Sequence, residues 1–218
     1  MPYRAVIFDL GGVVFPSPFD AFSAYEREHD LPERFIRSVV AAGAEHGAWA
    51  RLERGELTMP EFHAAFEGEC AAAGGAVDAA ELMGAIAAGF GPRPEMVDAI
   101  TRIRAAGLRT GALTNNWRAP DDGAPRDPSG GLPGGVDGVA ELFDVVVESA
   151  VVGLRKPDPR IYELACARLG VEPPDTVFLD DLGVNLKPAR GLGMTTIKVV
   201  DARRALRELA AVLAIDLT

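Results

Sequence analysis

The chain has 218 residues, enough to bury a substantial core in one large domain or in a domain carrying an insertion. Its formal charge of −10 argues against nucleic acid and anionic membrane surfaces as partners, since both carry the same sign. No apolar run approaches the roughly eighteen residues of a membrane span, and Met1-Pro2-Tyr3-Arg4 leads straight into a strand, so a cytoplasmic protein without a secretory leader is expected.

Ala5-Val6-Ile7-Phe8 is a short β-branched and aromatic run, and it places the first strand at residues 4–9, ending on Asp9. The flexible Leu10-Gly11-Gly12 follows it. From about residue 17 to 90 the pattern is helical and offers no convincing strand. Thr58-Met59-Pro60-Glu61 reads as a capping box ahead of Phe62 and Phe66, and Asp78 with Glu81 repeats the device. Helices inserted directly after a first strand predict a cap above the sheet edge. The expected division is therefore a core of residues 1–16 and 91–218 and a cap of residues 17–90.

Beyond the insertion, residues 94–106 carry Met96, Ile100 and Ile103 at helical spacing and stop at Gly107. A strand at 108–113 comes next. Ala119 to Gly138 is loaded with Pro, Gly and Asp and reads as a turn-rich loop, either a functional flap or a surface excursion. A strand at 144–147 precedes a helix at 159–169, which opens on Asp158 as N-cap and Pro159 and closes at Gly170. Strands at 176–180 and 195–199 complete a set of five. Their alternation with helices implies right-handed crossovers and a parallel sheet. Cys70 and Cys166 lie in helical patterns without metal-ligand spacing and read as reduced structural thiols.

Four pieces of chemistry stand at predicted strand ends, the edge where open α/β sheets bind ligands. They are Asp9, then Thr114-Asn115-Asn116, then Lys156 in a Pro-flanked turn, and finally Asp180-Asp181 with Asn185 nearby. Two carboxylate-tipped strands side by side suit a hard cation and leave Asp9 available as a nucleophile. Taken singly, each piece has a plainer reading. The acids can cap helices, Thr114-Asn115-Asn116 can be a simple turn, and Lys156 can be a solvated loop lysine.

Together, in this order and spacing, the four pieces resemble the haloacid dehalogenase-like (HAD) hydrolase superfamily, over essentially the whole chain. The insertion resembles the helical C1-type cap of that family. The stretch FLDDLGVNLKPARGLGM is similar to the phosphatase domain at the N-terminus of soluble epoxide hydrolases. FDLGGVVFPSP and GAEHGAWARL are similar to the related domain of an acyl-CoA dehydrogenase family member. The resemblance implies an α/β, Rossmann-like core with a five-stranded parallel sheet, and a Mg²⁺-dependent phosphatase acting on a small phosphorylated metabolite. It also implies Asp9 as the nucleophile that forms an aspartyl-phosphate. Mg²⁺ would be held by Asp9, the Gly11 backbone carbonyl and Asp181, with Asp180 as co-ligand or outer partner. Thr114 and Asn115 would bind the phosphoryl oxygens, and Lys156 would neutralise charge on Asp9 and phosphate. Monomer and homodimer both remain open.

The chain departs from the family at one position. Family phosphatases carry a second Asp two residues after the nucleophile, as general acid and base, where this chain has Gly11. That help is typically worth about 10²–10⁴-fold. His46, Glu45 and Glu53 of the insertion are the candidate substitutes. A side chain at Gly11 is expected to meet a backbone penalty of about 1 kcal/mol, glycine being read there as a positive-φ residue. The rival reading is a catalytically weak domain that binds a phosphometabolite or a protein partner. Dehalogenases of the family place Tyr at the Gly11 position, and phosphonoacetaldehyde hydrolases use a cap lysine that residues 17–90 lack.

Overall fold

The central strand, β1 (Ala5–Phe8), is buried on both sides, as its unbroken apolar composition requires. In the computed structural model, which describes residues 3–89, 91–118 and 139–217, it is flanked by β2 (Arg109–Thr114) and β4 (Thr176–Asp180). β3 (Val145–Glu148) and β5 (Thr195–Lys198) form the edges of an all-parallel sheet with the order β3-β2-β1-β4-β5. The five predicted strands agree with these to within a residue at each end. The predicted loop at 119–138 lies outside the described residues.

Period-two alternation sends the strand side chains to two separate cores. Val6, Phe8, Val177 and Leu179 pack with α6 (Pro94–Ala105) and α10 (Ala202–Leu213). Ala5, Ile7, Leu113 and Phe178 pack on the opposite face with α8 (Pro159–Leu169) and α9 (Gly183–Gly191). The described residues thus form three layers, helix on sheet on helix. α8 starts as the sequence predicts, with Pro159 in its first turn and the Asp158 side chain accepting from Arg160 N–H. A one-turn helix, α7 (Ser149–Val152), follows β3.

Residues 18–88 form five helices: α1 (Pro18–Glu28), α2 (Phe35–Gly43), α3 (Ala48–Glu53), α4 (Met59–Ala72) and α5 (Ala79–Ala88). They share a third apolar cluster centred on Trp49, whose ring makes edge contacts with Phe22, Phe62 and Phe66. Trp117, which follows β2, joins this cluster with its ring centroid 6.1 Å from that of Trp49. The two tryptophans of the chain therefore meet where the insertion touches the sheet edge. The Thr58 capping box is complete, each partner bonding the other's backbone. The Asp78 box is half formed, because Glu81 turns to His29 instead, at 3.2 Å. No helix among the described residues is long and apolar enough to cross a membrane.

Candidate active site

Sheet register brings the acids together. Phe8 pairs with Leu179, and Asp9 N–H extends that ladder by donating to the Leu179 carbonyl at 2.8 Å. Asp9 and Asp180 therefore leave adjacent strands at the same height. Carboxylate oxygens of Asp9, Asp180 and Asp181 lie within 4.8 Å of one another. Lys156, only 1% exposed, stands between the first two, its Nζ 2.8 Å from an oxygen of Asp9 and 2.8 Å from an oxygen of Asp180.

The two neighbouring acids are not equivalent. Asp180 is fully buried and accepts from Lys156 Nζ, from Leu182 N–H at 2.8 Å and from Asn185 Nδ2 at 3.1 Å. Asp181 is half-buried and lines the cavity described below. Burial pushes the Asp181 carboxyl up to about 6, with Asp180 adding to the effect. Burial also drives the Asp9 carboxyl well above its usual range, further than Lys156 pulls it down, and Asp180 and Asp181 push the same way. For Lys156, burial works against the ammonium, but Asp180 and Asp9 prevail and raise it. Three carboxylates against one ammonium leave a surplus of two negative charges when all are ionised. A divalent cation fits this surplus, and oxygen ligands of this kind suit Mg²⁺.

After β1 the chain makes a tight turn over Leu10–Val14, non-helical at Gly11 and Gly12 and closed by Phe15 N–H donating to the Leu10 carbonyl at 2.9 Å, which the sequence reading missed. Its glycines also correct an expectation. Gly11 has φ −63°, open to any residue, and a Cβ there would meet only Pro18 Cδ at 3.5 Å. The glycine requirement belongs to Gly12, at φ +78°, where a Cβ would stand 2.4 Å from Asp181 Oδ2. Bare backbone at Gly12 is what lets Asp181 close on the turn.

Thr114 ends β2 and is buried, with its hydroxyl 3.4 Å from the Asn115 carbonyl. Asn115 lines the cavity, but its side-chain amide is engaged elsewhere. Nδ2 donates to the Lys156 carbonyl at 3.0 Å and Oδ1 accepts from Lys156 N–H at 2.8 Å. The amide expected on phosphoryl oxygens thus clamps the backbone of the lysine in this structure.

A cavity of about 380 Å³ opens over Asp9, Lys156 and Asp181, roofed by the insertion. Its walls include Phe19, Phe22, Val40, Trp49 and Trp117, and its cations are Lys156, Arg155 and Arg37. Of the three substitutes considered for Gly11, His46 is not in this wall, while Glu45 and Glu53 are. Both glutamates are ion-paired with Arg155, at 3.1 Å and 2.7 Å. Phe19, Phe22, Arg37, Trp49, Trp117 and Arg155 are among the wall residues to which the sequence reading gave no role. Arg155 stands beside Lys156 in the chain, which is the only signal that could have drawn attention to it.

A sheet with acids and a buried lysine at its carboxyl edge is matched by the family model for haloacid dehalogenase-like hydrolases over residues 3–193. The chain belongs to that family. It is 38% identical to acyl-CoA dehydrogenase family member 10 of Mus musculus over 99% of its own length and 20% of that protein's. It is 35% identical to bifunctional epoxide hydrolase 2 of Sus scrofa over 100% of its length and 40% of the relative's. The chain thus spans less than half of each of these relatives. Its fold also matches a HAD family enzyme of Bacteroides thetaiotaomicron crystallised with magnesium and inorganic phosphate, with TM-score 0.61 and 19% identity, over 90% of this chain and 93% of that one.

Proposed function

We propose that this chain is a Mg²⁺-dependent phosphatase of a small phosphorylated metabolite, acting through an aspartyl-phosphate on Asp9. One observation carries the reading. Three carboxylates at the strand ends converge on one buried ammonium beneath a cavity lined by Asp9, Asp181 and Lys156, with an excess of negative charge that a dication would balance. Mg²⁺, held by Asp9, Asp181 and the Gly11 carbonyl with Asp180 as the outer partner, would supply charge neutralisation for the phosphoryl group.

The chain's own residues account for the rest. One Asp9 oxygen accepts from Leu10 N–H at 2.7 Å and the other faces Lys156. The carboxylate is thereby aimed rather than free to rotate. Attack on phosphorus forms the Asp9–phosphoryl bond as the bond to the leaving oxygen breaks. Water then attacks the same phosphorus, releasing inorganic phosphate and regenerating the Asp9 carboxylate. Lys156 holds compensating charge beside Asp9 throughout, and the Thr114 hydroxyl at the neighbouring strand end is the proposed donor to the phosphoryl oxygens. Asn115 contributes by holding Lys156.

Residues 17–90 are proposed to serve as the cap, and its aromatic wall favours a leaving group with an apolar portion. A cavity of about 380 Å³ suits a small substrate. A second reading is favoured by Gly11: with Glu45 and Glu53 both paired to Arg155, the chain could bind a phosphometabolite with weak turnover. The test compares hydrolysis of p-nitrophenyl phosphate and acetyl phosphate with and without Mg²⁺, in wild type and Asp9→Asn. An amide at Asp9 is a very poor nucleophile, so turnover should fall on the order of 10⁴-fold or more with the fold intact. Metal-independent turnover, or an Asp9→Asn variant that keeps more than a few per cent, would refute the phosphatase reading.

A further inference from the structure

Glu53 stands where the insertion meets the loop that carries Lys156, and its side chain is only 10% exposed. Its carboxylate oxygens are held by Trp49, Arg155 and Asn115. From within α3, Trp49 Nε1 donates to Oε1 at 3.1 Å. From the lysine loop, Arg155 donates to Oε2 through Nε at 2.8 Å and is ion-paired with it through Nη2 at 2.7 Å. Asn115 Nδ2 reaches the same oxygen at 3.4 Å. Two of these donors bear directly on Lys156. Arg155 precedes it in the chain, and the Asn115 amide brackets its backbone N–H and carbonyl.

We propose that Glu53 is a positioning residue for Lys156, linking the seating of the insertion to the placement of the ammonium between Asp9 and Asp180. A lysine stem has several rotatable bonds, so its ammonium keeps two contacts of 2.8 Å only if its backbone is held. The planar Arg155 guanidinium, gripped through two nitrogens, orients the residue before the lysine, and Asn115 holds the lysine itself. Glu45 also reaches Arg155, at 3.1 Å, but it is 58% exposed and the contact is screened. Glu53 is therefore the carboxylate that sets Arg155. The geometry stands on its own, whereas the effect on turnover rests on the phosphatase reading above.

The chain has three lysines, and Lys187 and Lys198 are exposed. Nuclear magnetic resonance of isotope-labelled lysine ammonium groups therefore isolates Lys156, assigned by its loss in Lys156→Met. Glu53→Gln and Arg155→Gln should each shift or broaden that resonance and leave the other two unchanged. Each should lower kcat for acetyl phosphate about 10- to 100-fold, as expected for a displaced catalytic group. KM should move by no more than about threefold. The double variant should be no worse than the poorer single, and Glu53→Asp, which keeps the charge, should recover part of kcat. A Glu53 that only supports the fold would lower the melting temperature while kcat per folded molecule and the Lys156 resonance stayed put. That result, or additive losses in the double variant, overturns the proposal. If wild type hydrolyses neither substrate, the phosphatase reading fails by itself. The resonance then still decides: displacement in both variants supports the positioning role, and an unmoved signal refutes it.

Discussion

The sheet edge and the helical insertion are built on different physics. At the sheet edge, backbone pairing dictates position: once Phe8 is opposite Leu179, Asp9 and Asp180 must emerge side by side. The insertion is held by aromatic packing around Trp49, and it meets the sheet edge through the contacts of Trp49 with Trp117 and of Glu53 with Arg155. The first arrangement suits chemistry, which needs charges fixed to a fraction of an ångström. The second suits selection, since a packed aromatic wall can change shape while the strands beneath keep theirs. Substitutions at the edge should therefore alter turnover for every substrate, and substitutions in the wall should alter the ranking of substrates.

The largest effect should come from Lys156→Met. It leaves Asp9 and Asp180 buried without their cation, which costs about 3–5 kcal/mol when one partner of a buried pair is removed. Denaturant unfolding measures this, and turnover should be lost for all substrates alike. A variant as stable as wild type would mean that the acids are not jointly ionised around the lysine.

Next come the paired acids, which should separate fold from metal. Asp181→Ala should weaken Mg²⁺ binding more, and Asp180→Ala should destabilise the protein more, because Asp180 carries the buried hydrogen bonds. Titration calorimetry with Mg²⁺ and thermal melting of both variants decide it, and equal losses would erase the distinction. The pH dependence has a definite sign. The Asp181 carboxyl is raised from 3.8 to about 6, so the folded protein holds that proton more tightly than the unfolded chain. Its ionised form therefore weakens the metal-free protein above pH 6, and the penalty fades as pH falls toward 3.8. Asp181→Asn should raise the metal-free melting temperature at pH about 8 but not at pH about 4, and Mg²⁺ should no longer add to it.

Gly11→Asp probes the missing acid at the edge itself. The backbone there is unstrained and the space is open, so melting should be nearly unchanged. Alkyl phosphates should gain about 10- to 100-fold in kcat/KM and acetyl phosphate little, since its leaving group needs no proton. A folded variant that gains nothing would mean another group already serves. The smallest effect is expected in the wall. Phe19→Leu should change kcat/KM for an aryl phosphate about 3- to 10-fold while leaving acetyl phosphate alone. Equal changes for both would break the division between chemistry and selection.

The legibility of the sequence follows the same division. The five strands, the Thr58 box and the Asp158 start of α8 could be read because their signals lie within a few residues of one another. So could the strand-end acids, which close apolar runs, and Lys156, which stands in a Pro-flanked turn. What escaped depends on contacts between distant residues. Glu81 leaves its capping box for a histidine 52 positions away, and Glu53 finds Arg155 102 positions away. The Asn115 amide pairs with a lysine 41 positions on, which no local pattern announces. The exchange of roles between Gly11 and Gly12 was hidden for another reason. Two adjacent glycines look alike until the position of Asp181 shows which one lacks room for a side chain.

The central claim is that Asp9 carries the phosphoryl group. Acid quenching during turnover of radiolabelled acetyl phosphate with Mg²⁺, followed by peptide mass spectrometry, tests it directly. The account predicts a hydroxylamine-sensitive acyl phosphate on the peptide containing Asp9, formed only with Mg²⁺ and absent in Asp9→Asn. Turnover without any label on that peptide, or label retained in Asp9→Asn, would contradict it.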